Sequence, residues 1–144
     1  MIDHYYNLSS VATPEEWKTY HDIRRKILWE NRGKLGEYQE NHPDEFHPQN
    51  HPMLLHYKGT PIGVVRIDLD PERGRAFMRK VAIVDDQQRM GHGRKLVELV
   101  EQFALKSGCH LMMVASAEDA LVFYEKCGYE AVATGSRKMI KVLK

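Results

Sequence analysis

The stretch VAIVDDQQRMGHGRKL, from Val81 to Leu96, decides the fold class of this 144-residue chain. Four apolar residues typical of a buried strand lead into two aspartates, and Gly91 and Gly93 then precede a basic segment with helical periodicity. A helix that begins beside glycines leaves its first N–H groups unpaired and accessible, which favours binding of an anion such as a phosphate. The stretch therefore predicts a strand, an anion-binding turn and a helix in succession.

Two other phosphate-binding patterns do not fit this turn. A dinucleotide-binding fingerprint requires a third glycine at position 96, where the chain has Leu96. A P-loop requires Gly-Lys followed by Ser or Thr, and this turn does not contain that sequence.

The segments around this unit alternate between strand-like and helix-like patterns. Residues 1–10 could form a short strand, and Thr13, Pro14 and Glu16 then form a helix-start pattern whose helix ends at Gly33. Residues 34–52 contain three His-Pro pairs, which predict an irregular loop. Strand-like runs separated by turn signals follow at 53–59, 61–70 and 75–84.

The remaining segments complete a mixed sheet. They are a helix over 91–106, a buried strand over 109–116, a short helix capped by Ser116 and ended by Gly128, and two short strands in the tail. We predict an α/β (α+β) fold in one domain spanning residues 1–144, with a mixed, mostly antiparallel, twisted sheet flanked by helices. The segment from Met78 to Ser116 is expected to be its parallel crossover.

Composition disfavours several classes of function. A net charge of +1 gives no general attraction for nucleic acid or an anionic membrane. No apolar run approaches the roughly 18 residues of a membrane span, and the polar N-terminus does not resemble a signal peptide, so we expect a cytoplasmic protein. Cys109 and Cys127 are expected to be buried thiols, and the spacing of His42, His47 and His51 fits no zinc site, so we expect no metal.

Two motifs resemble those of the GCN5-related N-acetyltransferase (GNAT) family. QRMGHG, from Gln88 to Gly93, fits the pattern Gln/Arg-x-x-Gly-x-Gly/Ala that follows strand four in that family. ALVFYEKCGYE, from Ala120 to Glu130, is similar to the motif that follows strand five. The resemblance implies a sheet whose strands four and five splay apart, with the thioester of acetyl-CoA in the gap.

The same resemblance implies positions for the acetyl-CoA site. The cradle for the pyrophosphate would consist of Gln88, Arg89, Met90, Gly91, His92, Gly93 and Arg94, with the side chain of His92 facing outward. Val81 and Ile83 lie on the strand that pairs with the pantetheine arm, and Ser116 lies near the gap. Tyr124 matches the family's tyrosine beside the CoA sulfur, which acts as a general acid.

The general base is not assigned by the resemblance. Some family members carry a glutamate on strand four, whereas residues 75–84 contain no carboxylate. Asp68 on strand three, Glu37 or Glu40 in the long loop, or a chain of waters remain open. Ordered water near Asp68 is our prediction.

Charged residues give two indications about the acceptor. Residues 35–57 contain Glu37, Glu40 and two further carboxylates but no Lys or Arg, which favours a cationic amine if this segment borders the acceptor site. The alternative is a solvated acidic loop.

A second indication comes from the predicted hairpin over residues 61–84. If its turn is centred between Glu72 and Arg73, Arg66 lies opposite Arg79, whereas slippage by one residue places Lys80 there. Like charges that face each other on a sheet are unfavourable unless an anion lies between them. A substrate carboxylate or the side chain of Asp68 would serve as this anion. The alternative is that both arginines simply face solvent. We hypothesise an acceptor with both an amine and a carboxylate, such as an amino acid or a peptide end.

These observations predict an N-acetyltransferase that moves an acetyl group from acetyl-CoA to a primary amine by direct attack, without a covalent enzyme intermediate. We expect a monomer or homodimer with no nucleic acid partner. The alternative is a non-catalytic acyl-CoA sensor on the same fold, which the missing glutamate allows and Tyr124 disfavours.

Overall fold

The computed structural model describes residues 5–144, and within them seven strands form one sheet. The strands are β1 (Tyr6–Ser10), β2 (Asn50–Tyr57), β3 (Thr60–Asp70), β4 (Arg75–Ile83), β5 (Leu111–Ala115), β6 (Glu130–Ala131) and β7 (Lys138–Val142). The α-helices are α1 (Pro14–Arg24), α2 (His92–Lys106) and α3 (Leu121–Lys126). Residues 1–4 of the predicted first strand lie outside the described residues.

The sheet has the strand order β1-β2-β3-β4-β5-β7-β6. All neighbouring strands are antiparallel except β4 and β5, which are parallel and joined through α2. This topology confirms the predicted mixed, mostly antiparallel sheet with flanking helices. Within the described part of the chain, every helix is too short or too polar to cross a membrane.

The start of α1 follows the predicted capping pattern. The Thr13 hydroxyl accepts a hydrogen bond from the Glu16 N–H (3.1 Å), and the Glu16 carboxylate accepts one from the Thr13 N–H (2.8 Å). After Arg24 the chain continues as a π-helical turn over Arg25–Trp29 and a 3₁₀ turn, and it ends at Gly33 with φ of 78°. Gly33 is therefore the predicted stop, whereas the π-helical turn is an addition that the sequence pattern did not predict.

The two faces of the sheet are covered by different helices. Met53, Leu55, Val65, Ile67, Ala76 and Met78 pack with α2 residues that include Leu96, Val97, Val100 and Ala104. On the other face Leu54, Val64 and Ala82 pack against Tyr20 and Ile23 of α1. These apolar residues thus form one core-facing surface on each helix.

A bulge interrupts β4 in the middle of its pairing with β3. Arg66 lies opposite Arg79, as the hairpin geometry predicts, but Val64 lies opposite Ala82, so β4 contains one extra residue between these pairs. Lys80 occupies this bulge with a left-handed φ of 57°, which is uncommon for a residue with a side chain.

The bulge changes which face each β4 residue occupies. Before it, the even-numbered Ala76 and Met78 belong to the α2 core, whereas after it Ala82 belongs to the α1 core. Val81 and Ile83 pack instead at the edge of the α2 core. An extra residue reverses the alternation of a strand, and β4 can thereby supply apolar side chains to both cores.

Strands β4 and β5 pair over only part of their length. Arg75–Met78 lie beside Leu111–Val114, and the remainder of β4 has no partner on β5. The two strands therefore separate beyond Met78, which confirms the implied splay.

Strand β2 begins earlier than predicted. It starts at Asn50 and includes Pro52, which the sequence pattern placed in the loop. The Pro52 carbonyl accepts a hydrogen bond from the Val11 N–H (3.0 Å), so the backbone of Pro52 faces the β1 side of the strand. Because Val11 lies beyond the last residue of β1, the N–H that proline lacks is not needed for the pairing of β1 with β2. The loop also contains a 3₁₀ turn over Pro43–Phe46.

The prediction that Ser116 caps the short helix is wrong. Its hydroxyl donates to the carbonyl of Ala117 (2.7 Å), and no side chain caps the 3₁₀ turn over Glu118–Ala120 that precedes α3. Because α3 begins only at Leu121, Ser116 lies too far upstream to reach its first N–H groups.

Candidate active site

A groove runs from the glycine turn along the open edge of β4 to α3. Its walls include eight residues predicted for acetyl-CoA or catalysis, together with Phe123 and Cys127. The eight are Val81, Ile83, Gln88, Arg89, Gly91, Gly93, Arg94 and Tyr124. The structure therefore brings the two sequence motifs together on one surface.

The beginning of α2 provides unpaired backbone donors to this groove. The first bond of the helix runs from the Lys95 N–H to the Gly91 carbonyl (3.2 Å), and no side chain caps the helix. The N–H groups of His92, Gly93 and Arg94 therefore have no intrahelical acceptor, and the helix dipole adds partial positive charge.

The two glycines of the turn serve different purposes. Gly91 has a φ of 87°, a left-handed conformation in which a side chain is strained. Gly93 is limited by space instead, because a Cβ there would lie 3.3 Å from the ring of Phe123. Both glycines keep the approach to the helix N-terminus free of side chains of their own.

The expectation that the His92 side chain faces outward is wrong. His92 is only 5% exposed. The Tyr6 hydroxyl donates to its Nδ1 (2.6 Å), and its Nε2–H donates to the side-chain oxygen of Gln87 (3.1 Å). Because the bond from Tyr6 ties the turn to β1, the imidazole positions the backbone of the turn while its own ring is directed into the protein.

For three other residues predicted to bind the cofactor, the side chain is engaged within the protein or lies outside the groove wall. The Gln88 side-chain amide donates to the Ile83 carbonyl (2.8 Å), so it closes the turn onto the end of β4. The Met90 side chain is 62% exposed and is not part of the groove wall. Ser116 is buried and is likewise absent from that wall.

Part of the backbone of β4 is available along the open edge, where the Ile83 carbonyl is engaged by the Gln88 side-chain amide. The Val84 N–H donates to the Ile62 carbonyl on β3 (2.8 Å). Because backbone groups alternate in direction along a strand, those of Val81 and Ile83 face the side from which β5 has separated. An extended, amide-bearing ligand could pair with this edge as an added strand.

Tyr124 lies where the groove meets the gap between β4 and β5. It is 6% exposed, and its ring packs edge-to-face with those of Phe123 and Tyr129. Burial raises the pKa of Tyr124 above its ordinary value near 10, so the hydroxyl keeps its proton at neutral pH. A buried, protonated phenol at this position is suited to donate a proton.

The gap itself forms a cleft beside Tyr124. Its walls include Val81 and Val114 from the separated strands and Trp29 from the end of the π-helical turn. Lys80 of the bulge also lines it. This cleft is the place at which an acyl group bound along β4 would end.

A second, more polar pocket adjoins this cleft and shares Trp29, Arg79 and Lys80 with it. On its wall Asp68 accepts hydrogen bonds from Arg66 (2.7 and 2.9 Å) and from Arg79 (2.7 Å). The facing arginines predicted from the hairpin register therefore have Asp68 between them. A carboxylate held by two guanidinium groups is poorly placed to serve as a general base.

The acidic loop contributes an anchor to the same pocket. Glu45 forms an ion pair with Arg24, and the two side chains are 1% and 5% exposed. The predicted substrate residues are more peripheral: Glu37 lines the pocket as an exposed side chain, whereas Glu40 lies 3.7 Å from Arg25 and is absent from the pocket wall.

The loop histidines have structural roles. His42 and His47 accept hydrogen bonds through Nδ1 from backbone N–H groups two residues ahead, at 3.2 and 3.1 Å. Among residues 5–144 no cluster of three or more His, Cys, Asp or Glu side chains is arranged to hold a metal ion.

Comparison with known proteins agrees with this arrangement. The family model of the acetyltransferase (GNAT) family matches residues 2–129. The chain belongs to the GNAT family. Among proteins of curated function, none matches the sequence significantly.

Solved structures of GNAT proteins share the whole fold. A Lactobacillus plantarum protein assigned as an N-acetyltransferase is 21% identical, with a TM-score of 0.80 and coverage of 98% of this chain and 100% of that chain. An acyl-CoA N-acyltransferase from Pseudomonas aeruginosa is 18% identical, with a TM-score of 0.75 and coverage of 94% and 95%. N-acetylglutamate synthase from Neisseria gonorrhoeae, solved with coenzyme A and L-arginine, is 12% identical with a TM-score of 0.74, and the match covers 98% of this chain and 34% of that chain.

GNAT enzymes use acetyl-CoA, and this chain is an acyltransferase of that kind.

Several pocket residues were not predicted as site residues, notably Arg24, Trp29, Tyr38 and Glu45. They come from the end of α1, the π-helical turn and the long loop, whose mutual placement depends on buried ion pairs between distant segments. The sequence pointed to Lys80 only through the alternative hairpin register, which placed it opposite Arg66.

Proposed function

We propose that the protein transfers the acetyl group of acetyl-CoA to the primary amine of a small acceptor. The observation that carries this proposal is the single groove that combines free N–H groups at α2, the open edge of β4 and the buried hydroxyl of Tyr124. A non-catalytic sensor would need the first two features only.

The cofactor residues would act through backbone and charge. The N–H groups of Gly93 and Arg94 would bind the pyrophosphate, with Arg89 adding positive charge. The backbone of Val81 and the N–H of Ile83 would pair with the pantetheine amides, because the Ile83 carbonyl already accepts from Gln88. This arrangement would direct the thioester into the cleft beside Tyr124.

The reaction would proceed by direct attack. The neutral amine forms a bond to the thioester carbonyl carbon, and the tetrahedral intermediate collapses as the C–S bond breaks and the thiolate takes the Tyr124 proton. The former amine nitrogen loses its extra proton to water, and a proton returns through water to Tyr124 before the next turnover. A backbone N–H at the Lys80 bulge, where ladder pairing is interrupted, would donate to the oxyanion. The product is an amide and free CoA.

Removal of the amine proton is the remaining task, because a lysine-like amine with a pKa near 10.4 is less than about 0.1% neutral at pH 7. Asp68 and Glu45 are engaged in ion pairs with arginines. We propose that water in the polar pocket accepts this proton, with Glu37 at its edge.

The test is calorimetric titration with acetyl-CoA, followed by an assay of thiol release with a panel of amines, amino acids and peptides. Binding with turnover of one acceptor class supports the proposal. Binding of acetyl-CoA without turnover of any acceptor in the panel, and with no change in thiol release or acetyl-CoA binding in Tyr124→Phe, would favour the sensor. Absence of binding would contradict the assignment of the groove.

A further inference from the structure

We infer that the acceptor carries a carboxylate and that Lys80 binds it, at the junction of the acyl cleft and the polar pocket. The inference rests on the proposed acetyl transfer, and it replaces Arg66 with Lys80 as the principal anion-binding residue. Four observations support it.

First, the buried acids of the pocket are already used by arginines. Asp68 joins Arg66 and Arg79, and Glu45 joins Arg24. Arg66 is only 6% exposed and uses Nε and one terminal nitrogen on Asp68, so little of it is available to a ligand. The facing arginines are therefore mainly a structural network.

Second, Lys80 forms no ion pair with any acidic side chain in the described part of the chain. Its ammonium lies over the ring of Trp29, 5.3 Å from the centroid. The residue is exposed overall, and partial desolvation of its ammonium, followed by the nearby charges of Arg24, Arg66 and Arg79 among others, lowers the pKa of Lys80. An anion placed here would relieve repulsion among cations.

Third, a buried donor on the same wall lacks an acceptor. Arg24 uses one terminal nitrogen for Tyr20 and Glu45, but its Nε is buried without a hydrogen-bond partner among residues 5–144. An unsatisfied buried donor is unfavourable, so an arrangement in which a ligand oxygen reaches it would be favoured. Arg79, with a side chain that is 43% exposed, can contribute its terminal nitrogens.

Fourth, the geometry suits a small acceptor with two polar ends. Because Trp29, Arg79 and Lys80 line both the acyl cleft and the polar pocket, an acceptor can place its amine in the cleft and its carboxylate in the adjoining pocket. An α-amino acid carries both groups, and so does a dipeptide, with the amine and the carboxylate at its two ends. A polyamine would place a second cation beside Lys80, which is unfavourable.

The experiment compares acceptors that differ only in the carboxylate. A panel of α-amino acids and dipeptides, each paired with its C-terminal carboxamide, is titrated into the protein saturated with CoA. In the wild type at least one acid should bind about ten- to hundredfold more tightly than its carboxamide, as expected for charge-assisted hydrogen bonds. Lys80→Met should abolish this preference, and Lys80→Arg should retain most of it.

The matched control is Lys106→Met, an exposed lysine at the far end of α2, which should leave the preference unchanged. Equal binding of acids and carboxamides in the wild type, or no binding of any acid, would overturn the inference. Thiol release separates the two proposals: turnover of acids and carboxamides alike refutes the carboxylate site alone, whereas selective binding of acids without any turnover refutes acetyl transfer alone.

Discussion

The surroundings of Tyr124 suit the proton-donor role proposed for it. Its ring packs against Phe123 and Tyr129, and the residue lines both the groove and the β4–β5 gap. Tyr129 is equally buried, but its hydroxyl donates to Glu101 (2.8 Å). The two tyrosines therefore differ in position and hydrogen bonding rather than in burial.

This difference predicts distinct results for the same substitution. Tyr124→Phe should lower kcat about 100-fold or more, the usual contribution of general acid catalysis, with little change in the Kd of acetyl-CoA. Because burial raises the pKa of Tyr124, the acid form persists, and the wild-type rate should not fall with deprotonation of this group below about pH 9. Steady-state kinetics across this pH range provide the measurement.

The control is Tyr129→Phe, which removes a buried hydrogen bond to Glu101 and should cost about 1 kcal/mol of stability while leaving kcat nearly unchanged. If Tyr124→Phe retained full kcat, or if both variants lost activity equally, Tyr124 would not be the proton donor.

At the scale of elements, local signals were predictable and non-local ones were not. The cap of α1 and the pairing of Arg66 with Arg79 follow from residues near one another in sequence, and the structure contains both. The bulge at Lys80 depends on two cores that demand side chains from opposite faces of β4, which no local pattern encodes. The inward orientation of His92 likewise depends on Tyr6, 86 residues away.

The attachment of the long loop to α1 is another non-local feature, and it can be tested. Glu45, in the 3₁₀ turn over Pro43–Phe46, forms a buried ion pair with Arg24. Glu45→Gln removes one partner and leaves a buried charge uncompensated, so it should lower the free energy of unfolding by about 3 kcal/mol. Chemical denaturation measures this change.

Glu40→Gln is the matched control from the same loop. Its carboxylate is 55% exposed and lies 3.7 Å from Arg25, and exposed pairs contribute about 0–1 kcal/mol. Equal, small effects of both substitutions would show that the Glu45 pair does not hold the loop in place.

At the scale of the whole molecule, the separation of β4 and β5 leaves the two halves of the sheet joined by few residues. Only Arg75–Met78 and Leu111–Val114 pair across this boundary. The groove has walls from both halves, because β4 and the glycine turn lie on one side and α3 on the other. A ligand in the groove would contact both sides only in the folded state.

Binding of acetyl-CoA should therefore stabilise the fold through linkage. At a concentration 100 times its Kd, acetyl-CoA should add about 2.7 kcal/mol to the free energy of unfolding, which corresponds to a Tm increase of roughly 5–10 °C for a chain of this size. Differential scanning calorimetry over a series of concentrations measures the shift. Gly93→Val, whose side chain would meet Phe123, should lower its own Tm and lose most of the ligand-dependent increase. A full increase in that variant would mean that acetyl-CoA binds somewhere other than this groove.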